Sequence, residues 1–178
     1  MSDFSQNGII SNLHDFGTKS TKEIELKKFS KERKMELILP SLYSELEADA
    51  LPKIVDEISK TNYLNHIIVG LDKAKKNEAK KAWKFFEKLK TPYTILWNDG
   101  PRLKKLDDEL RKKDLAPNHF GKGRNVWYCL GMCIARDEAR SVALHDCDIK
   151  TYDRRMLAKL FYPVVNPLFN FEFCKGYY

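Results

Sequence analysis

Hydrophobic and polar positions follow two different periods along this chain. Met35-Glu36-Leu37-Ile38-Leu39 is a short apolar run closed by Pro40. Proline cannot donate to a sheet ladder, so the run predicts a strand that ends there. From Ser44 the period lengthens: Leu51, Ile54, Val55 and Ile58 recur at three- and four-residue steps, the spacing of a helix with one apolar face. His66 to Leu71 predicts a second strand, Asn77 to Leu89 a second helix, and Tyr93-Thr94-Ile95-Leu96-Trp97 a third strand stopped by Asn98-Asp99-Gly100-Pro101.

A polar helix from Lys104 to Lys113 leads through Pro117 to Gly121-Lys122-Gly123, which opens a helix with Val126, Leu130 and Ile134 along one face. Ser141 to His145 predicts a further strand, Arg154 to Phe161 a helix, and Phe169-Asn170-Phe171-Glu172-Phe173 a last strand-like segment. Residues 1–34 are polar apart from an apolar island at Ile9-Ile10 and read as a peripheral N-terminal arm, leaving 35–178 as one domain. Strands alternating with helices imply an α/β fold, a mostly parallel sheet covered on both faces, with ligands at the carboxyl ends of the strands.

Composition narrows the classes of function. At 178 residues with 43% hydrophobic content, the chain supports a substantial core. No apolar run approaches the roughly 20 residues of a membrane helix, and the N-terminus lacks the order of a signal peptide, so a soluble, cytoplasmic protein is expected. Cys129, Cys133, Cys147 and Cys174 are read as thiols. Cys129 and Cys133 lie four apart on a helix, but no second close pair accompanies them, so burial is preferred over zinc. The net charge of +7 favours an anionic partner. Much of the lysine, however, sits among acids on helical faces, and Trp83, Phe85 and Phe86 fall at spacings that suit burial, so nucleic acid is disfavoured.

The chemistry concentrates at the predicted strand ends. Val142-Ala143-Leu144-His145 delivers Asp146-Cys147-Asp148, two carboxylates one residue apart. Carboxylate oxygens beside a diphosphate suit Mg2+ or Mn2+. His145 is read as a packing residue or a ligand. Gly121-Lys122-Gly123 lacks the spacing of a P-loop or of a dinucleotide fingerprint, but lets backbone approach a ligand and supplies a mobile cation. Pro40, Ser41 and Leu42 follow the first strand and lead to Glu45, while Asp72 closes the second.

With those residues assembled, the chain resembles the nucleotide-binding part of GT-A glycosyltransferases, and among them the glucosyl-3-phosphoglycerate synthases. The matching pieces are Leu39-Pro40-Ser41-Leu42 with Glu45, Gly121-Lys122-Gly123 with its helix through Trp127 and Gly131, Asp146-Cys147-Asp148, and Lys175-Gly176. The resemblance implies a metal-dependent transfer of glucose, with retention, from a nucleotide sugar such as UDP-glucose to 3-phosphoglycerate or a related glycerate. It places Pro40, Ser41, Leu42, Glu45, Asp72, Lys122, Asp146, Cys147 and Asp148 around the donor, and makes Asp146 and Asp148 the catalytic and metal-binding pair. Tyr43-Ser44-Glu45 replaces the Asn-Glu-Glu common in such enzymes.

The chain stops at Cys174-Lys175-Gly176-Tyr177-Tyr178, about where the family continues into an acceptor-binding half with a further metal-binding histidine. His14, His66, His119 and His145 match no such position. The expectation is therefore a GT-A domain incomplete at its C-terminus, with a homodimer through uncovered apolar surface as one outcome. A nucleotidyltransferase and a non-catalytic binding module derived from a transferase are the alternatives.

Overall fold

A computed structural model describes residues 21–169 and 171–176. Four parallel strands form one sheet: β1 (Met35–Leu42), β2 (His66–Asp72), β3 (Tyr93–Trp97) and β4 (Ser141–Leu144), in the order β3-β2-β1-β4. The helices are α1 (Thr21–Phe29), α2 (Ala50–Ile58), α3 (Lys76–Phe86), α4 (Pro101–Arg111), α5 (Lys122–Arg136) and α6 (Arg154–Val165), with a 3-10 turn at Tyr43–Glu47. No helix among the described residues is long and apolar enough to cross a membrane.

Alternation along the strands divides the core. Leu37, Leu39, Ile67, Val69 and Leu71 pack with Leu51, Ile54, Ala79, Phe86, Leu157 and Phe161 on one face. Ile38 and Ile68 face the other way, onto Cys129 and Cys133 of α5. β1 and β2 are buried along nearly their whole length, as strands covered on both faces must be. The chain steps outward from β1 to β2 to β3 and then returns to the other side of β1 as β4, so the strand order reverses between β1 and β4. In such sheets the crevice beyond the carboxyl ends of the two strands at this switch is the natural ligand position.

Gly70 lets α5 sit close to β2. The Asn125 amide Nδ2 donates to the Gly70 carbonyl at 2.8 Å, and a Cβ at residue 70 would lie 1.8 Å from Asn125 Oδ1. On the flank of α5 towards α4, Asp107 accepts from the Tyr128 hydroxyl, from Arg111 Nε at 2.8 Å, and pairs with Arg124 at 3.2 Å. Burial raises the Asp107 pKa, but these three partners outweigh it and hold the carboxyl below its ordinary value. Burial, followed by Asp107, pushes Tyr128 up to about 12.

Several expectations are corrected. Pro40 does not end β1, which continues through it to Leu42 with Pro40 opposite Gly70. The His145 amide donates to the Ile38 carbonyl, so the even residues of β1 face β4; β4 has ended at Leu144, and the N–H that Pro40 lacks would find no ladder partner. Val126, Leu130 and Ile134 are not the buried face of α5. Asn125, Cys129 and Cys133 take that place, and Ile134 is 78% exposed. Trp83 is exposed and Phe85 only half-buried, while Phe86 is fully buried. Residues 169 and 171–173 form no strand, and Phe173 is exposed. The predicted arm also divides. Residues 1–20, with Ile9-Ile10, lie outside the described residues, whereas α1 packs on α6 with Leu26 fully buried in the core.

Candidate functional site

The carboxyl ends of β1 and β4 gather the chemistry. After Leu144 the backbone turns at Cys147 and Asp148. The Cys147 side chain enters the main core, 2% exposed, leaving Asp146 half-buried and Asp148 exposed on the outer side of the turn. The Lys122 ammonium, in the first turn of α5, donates to Asp146. Gly121 precedes it at φ 131°, a conformation that side-chain-bearing residues rarely adopt, so this helix entry needs glycine. A Cβ at Gly123 would meet nothing within 4 Å, so the backbone there is open.

Glu45 comes from the 3-10 turn that follows β1. Its Oε2 accepts the Leu42 amide at 2.8 Å. Burial is the main cause that raises its pKa, and the charges of Asp148 and Asp146 add to it, against the lowering by the Leu42 amide and Lys122. Three carboxylates and one lysine therefore share one field at the switch point. An open cleft of about 350 Å³ lies alongside, lined by Glu45, Glu47, Asp49, Cys147, Asp148 and Lys150. A smaller cleft of about 250 Å³, among Glu23, Glu57, Lys60, Asp153, Arg154 and Arg155, is bridged by its own ion pair, Arg154 to Glu23 at 3.0 Å.

Other predicted residues have different roles. Pro40 and Ser41 are buried, and the Ser41 hydroxyl donates to the Leu42 carbonyl at 3.1 Å, so any contact from these two to a ligand runs through backbone. The same holds for Cys147. Leu42 and Asp72 are register partners at the ends of β1 and β2, and Asp72 Oδ1 accepts the Lys73 amide at 3.1 Å. Asp99 shapes the rim by accepting the Ala74 amide at 2.9 Å. His145 is buried edge-on against Tyr152, and burial lowers its pKa to about 4, so it packs as a neutral ring.

The donor set fits a hard cation in part. Asp146 and Asp148 offer oxygens, but among the described residues no three His, Cys, Asp or Glu side chains are grouped to hold a metal. Diphosphate oxygens and a ligand from elsewhere would have to complete the coordination. Cys129 and Cys133 are packed between α5 and the sheet, each pushed up to about 12 by burial, and among the described residues no third His, Cys, Asp or Glu is grouped with them.

Sequence reasoning missed Asn125, Asp107, Arg124 and Tyr128, which hold the helix carrying Lys122. Gly70, inside an otherwise β-branched and apolar run, was the available signal of a close backbone approach.

No protein-family model matches the chain. It is 46% identical over 180 residues to the glucosyl-3-phosphoglycerate synthase of Persephonella marina, covering all of this chain and 45% of that protein. It is 38% identical over 173 residues to the glucosyl-3-phosphoglycerate synthase of Methanococcoides burtonii, covering 95% of this chain and 42% of that one. The chain thus spans less than half the length of these curated relatives. The fold matches, with a TM-score of 0.55 at 16% identity, the glucosyl-3-phosphoglycerate synthase of Mycobacterium tuberculosis, solved with Mn2+, UDP and glucosyl-3-phosphoglycerate, over 88% of this chain and 47% of that one. The α/β, GT-A-like architecture expected from the sequence is the one observed.

Proposed function

We propose, for a chain homologous along its whole length to part of the glucosyl-3-phosphoglycerate synthases, that it is the donor-binding part of a retaining glucosyltransferase using UDP-glucose and a divalent metal. The acceptor is 3-phosphoglycerate or a related glycerate, and the donor domain is the predicted 35–178 unit extended at its start to include α1. The observation that carries this reading is the convergence of Lys122, Asp146, Asp148 and Glu45 at the β1/β4 switch point.

Each group has a task there. The N-terminus of α5 directs its free N–H groups and the positive end of its dipole towards the carboxyl end of β4, where a diphosphate would lie. Lys122, paired with Asp146 before the donor binds, is drawn to the phosphates and releases that carboxylate. Asp146 and Asp148 would hold Mg2+ or Mn2+, which when bound supplies charge stabilisation for the departing diphosphate. Glu45 keeps the β1 exit in shape through the Leu42 amide, with Leu42 and Asp72 bordering the nucleoside end. No protein nucleophile is required.

Calorimetric titration with UDP-glucose, with and without Mn2+, and with GDP- and ADP-glucose as competitors, tests the reading. Metal-dependent binding selective for the uridine donor is expected. Equal binding of all three donors, or none of any, overturns it; consumption of nucleoside triphosphate with release of pyrophosphate would instead favour a nucleotidyltransferase.

A further inference from the structure

Phe120, the residue before Gly121, is a large apolar side chain left 78% exposed at the entry to α5. It is nevertheless held. The Arg124 guanidinium stands 4.6 Å from the centre of its ring and the Arg111 guanidinium 5.7 Å, both within cation–π range. Arg124 is itself fixed: it is buried, pairs with Asp107 at 3.2 Å and stands 5.3 Å from the Tyr128 ring. An exposed phenylalanine pinned by two guanidiniums is a flat apolar surface whose orientation is set before anything binds, so little ordering cost remains for a partner.

The helix fixes where that surface lies. Asn125 bonds the Gly70 carbonyl, and Cys129 and Cys133 pack with Ile38 and Ile68, so the N-terminus of α5 points towards the carboxyl ends of β1 and β2. Gly121 is one helical turn, about 6 Å, beyond Asn125, and Asp72 is two strand residues, about 6–7 Å, beyond Gly70. The helix entry therefore stands level with Asp72. Alternation from Ile68 and Ile38 turns the Asp72 and Leu42 side chains to this same face of the sheet. Arg124 meets α4, the helix that follows β3, whereas Lys122 reaches Asp146 just past β4. With the strand order β3-β2-β1-β4, Phe120 lies on the β2/β3 side of the helix entry and Lys122 on the β4 side.

We propose that Phe120 stacks on the base of the nucleotide donor, an inference that rests on the donor-binding reading above. A base seated at Leu42 and Asp72 against this ring leaves its diphosphate over Gly121-Lys122-Gly123, running towards Asp146 and Asp148. The ring offers a nucleobase a planar apolar partner and no hydrogen bond, so Phe120 adds affinity for any base and the choice of base falls to other groups. A phosphate gains nothing from an uncharged ring without donors.

Calorimetric titration of this chain with UDP, and with inorganic pyrophosphate as the probe that lacks a base, both with Mg2+, separates stacking from phosphate binding. Phe120→Ala should weaken UDP binding by about tenfold or more and change pyrophosphate affinity by less than about twofold. Phe120→Leu keeps apolar bulk but loses the ring, and should show most of that loss. Phe120→Tyr keeps the ring and should bind UDP within about threefold of the parent. Because Phe120 is exposed, circular dichroism and the urea midpoint of all three variants should match the parent.

UDP binding that survives Phe120→Ala overturns the stacking and leaves the donor reading standing. An equal loss of UDP and pyrophosphate affinity overturns it as well, because Phe120 would then act by keeping the helix entry in shape. Full UDP binding by Phe120→Leu has the same force, since bulk alone would suffice. A parent chain that binds no UDP overturns the stacking and the donor reading together.

Discussion

Gly70→Ala tests whether a single close contact seats α5, and with it Lys122. The added Cβ would lie 1.8 Å from Asn125 Oδ1, 2.6 Å from Cys129 Sγ and 2.8 Å from Asn125 Cγ, all closer than real Cβ contacts come. Asn125 is 2% exposed and bonded to the Gly70 carbonyl, so it has little room to swing aside. Overpacking of this kind costs about 1–3 kcal/mol. Losing the buried amide bond adds about 1–2 kcal/mol, and the stiffer unfolded chain returns about 0.4–1 kcal/mol. The net destabilisation is about 2–4 kcal/mol, readable by urea denaturation as a lower midpoint.

Asn125→Ala alone should cost about 1–2 kcal/mol, from the lost bond and a small void. In the double variant both overlaps with Asn125 disappear, and only the Cys129 thiol remains to be moved. That variant should therefore be more stable than the sum of the single effects by about 1–2 kcal/mol. Strict additivity, or a Gly70→Ala midpoint within about 0.5 kcal/mol of the parent, would refute the close-contact argument.

Asp148→Asn should leave the fold intact and weaken metal-dependent binding of UDP-glucose, and unchanged affinity with Mn2+ present removes Asp148 from the metal. Lys122→Ala should lower nucleotide affinity even without metal while shifting stability by less than about 1 kcal/mol, because its pair with Asp146 is exposed; a large stability loss contradicts that geometry. Iodoacetamide at mild alkaline pH should modify the half-buried Cys174 before the buried Cys129, Cys133 and Cys147, and simultaneous labelling would mean that the core is open. His66 should titrate below 6.5 by NMR, because burial and then Arg136 disfavour its protonated form. The unfolded chain takes up that proton more readily, so this group withdraws stability as pH falls from 6.5 towards its folded pKa; a His66 pKa above 6.5 contradicts the packing.

Much of this was legible locally. Short apolar runs ended by turn residues marked β1 to β4, and three- and four-residue spacing marked helices between them, because both depend only on neighbours along the chain. Asp146 and Asp148 stood out because a strand-forming run led straight to them. The glycine before Lys122 was likewise readable, since few other residues tolerate its backbone angles.

Tertiary structure decided the rest. Pro40 sits within β1 because β4 stops short of it, which depends on a segment a hundred residues away. Val126, Leu130 and Ile134 look like a buried stripe on a helical wheel, yet Asn125 and Cys129 face the sheet because Gly70 opens the space for them. Ser41 and Cys147 lie in the predicted site but turn inward, and Asp107, Arg124 and Tyr128 meet only when α4 and α5 pack. Local pattern sets which element forms and where its apolar side chains fall. Which of those side chains is buried is set by what the rest of the chain places against them, and that is a long-range property of packing.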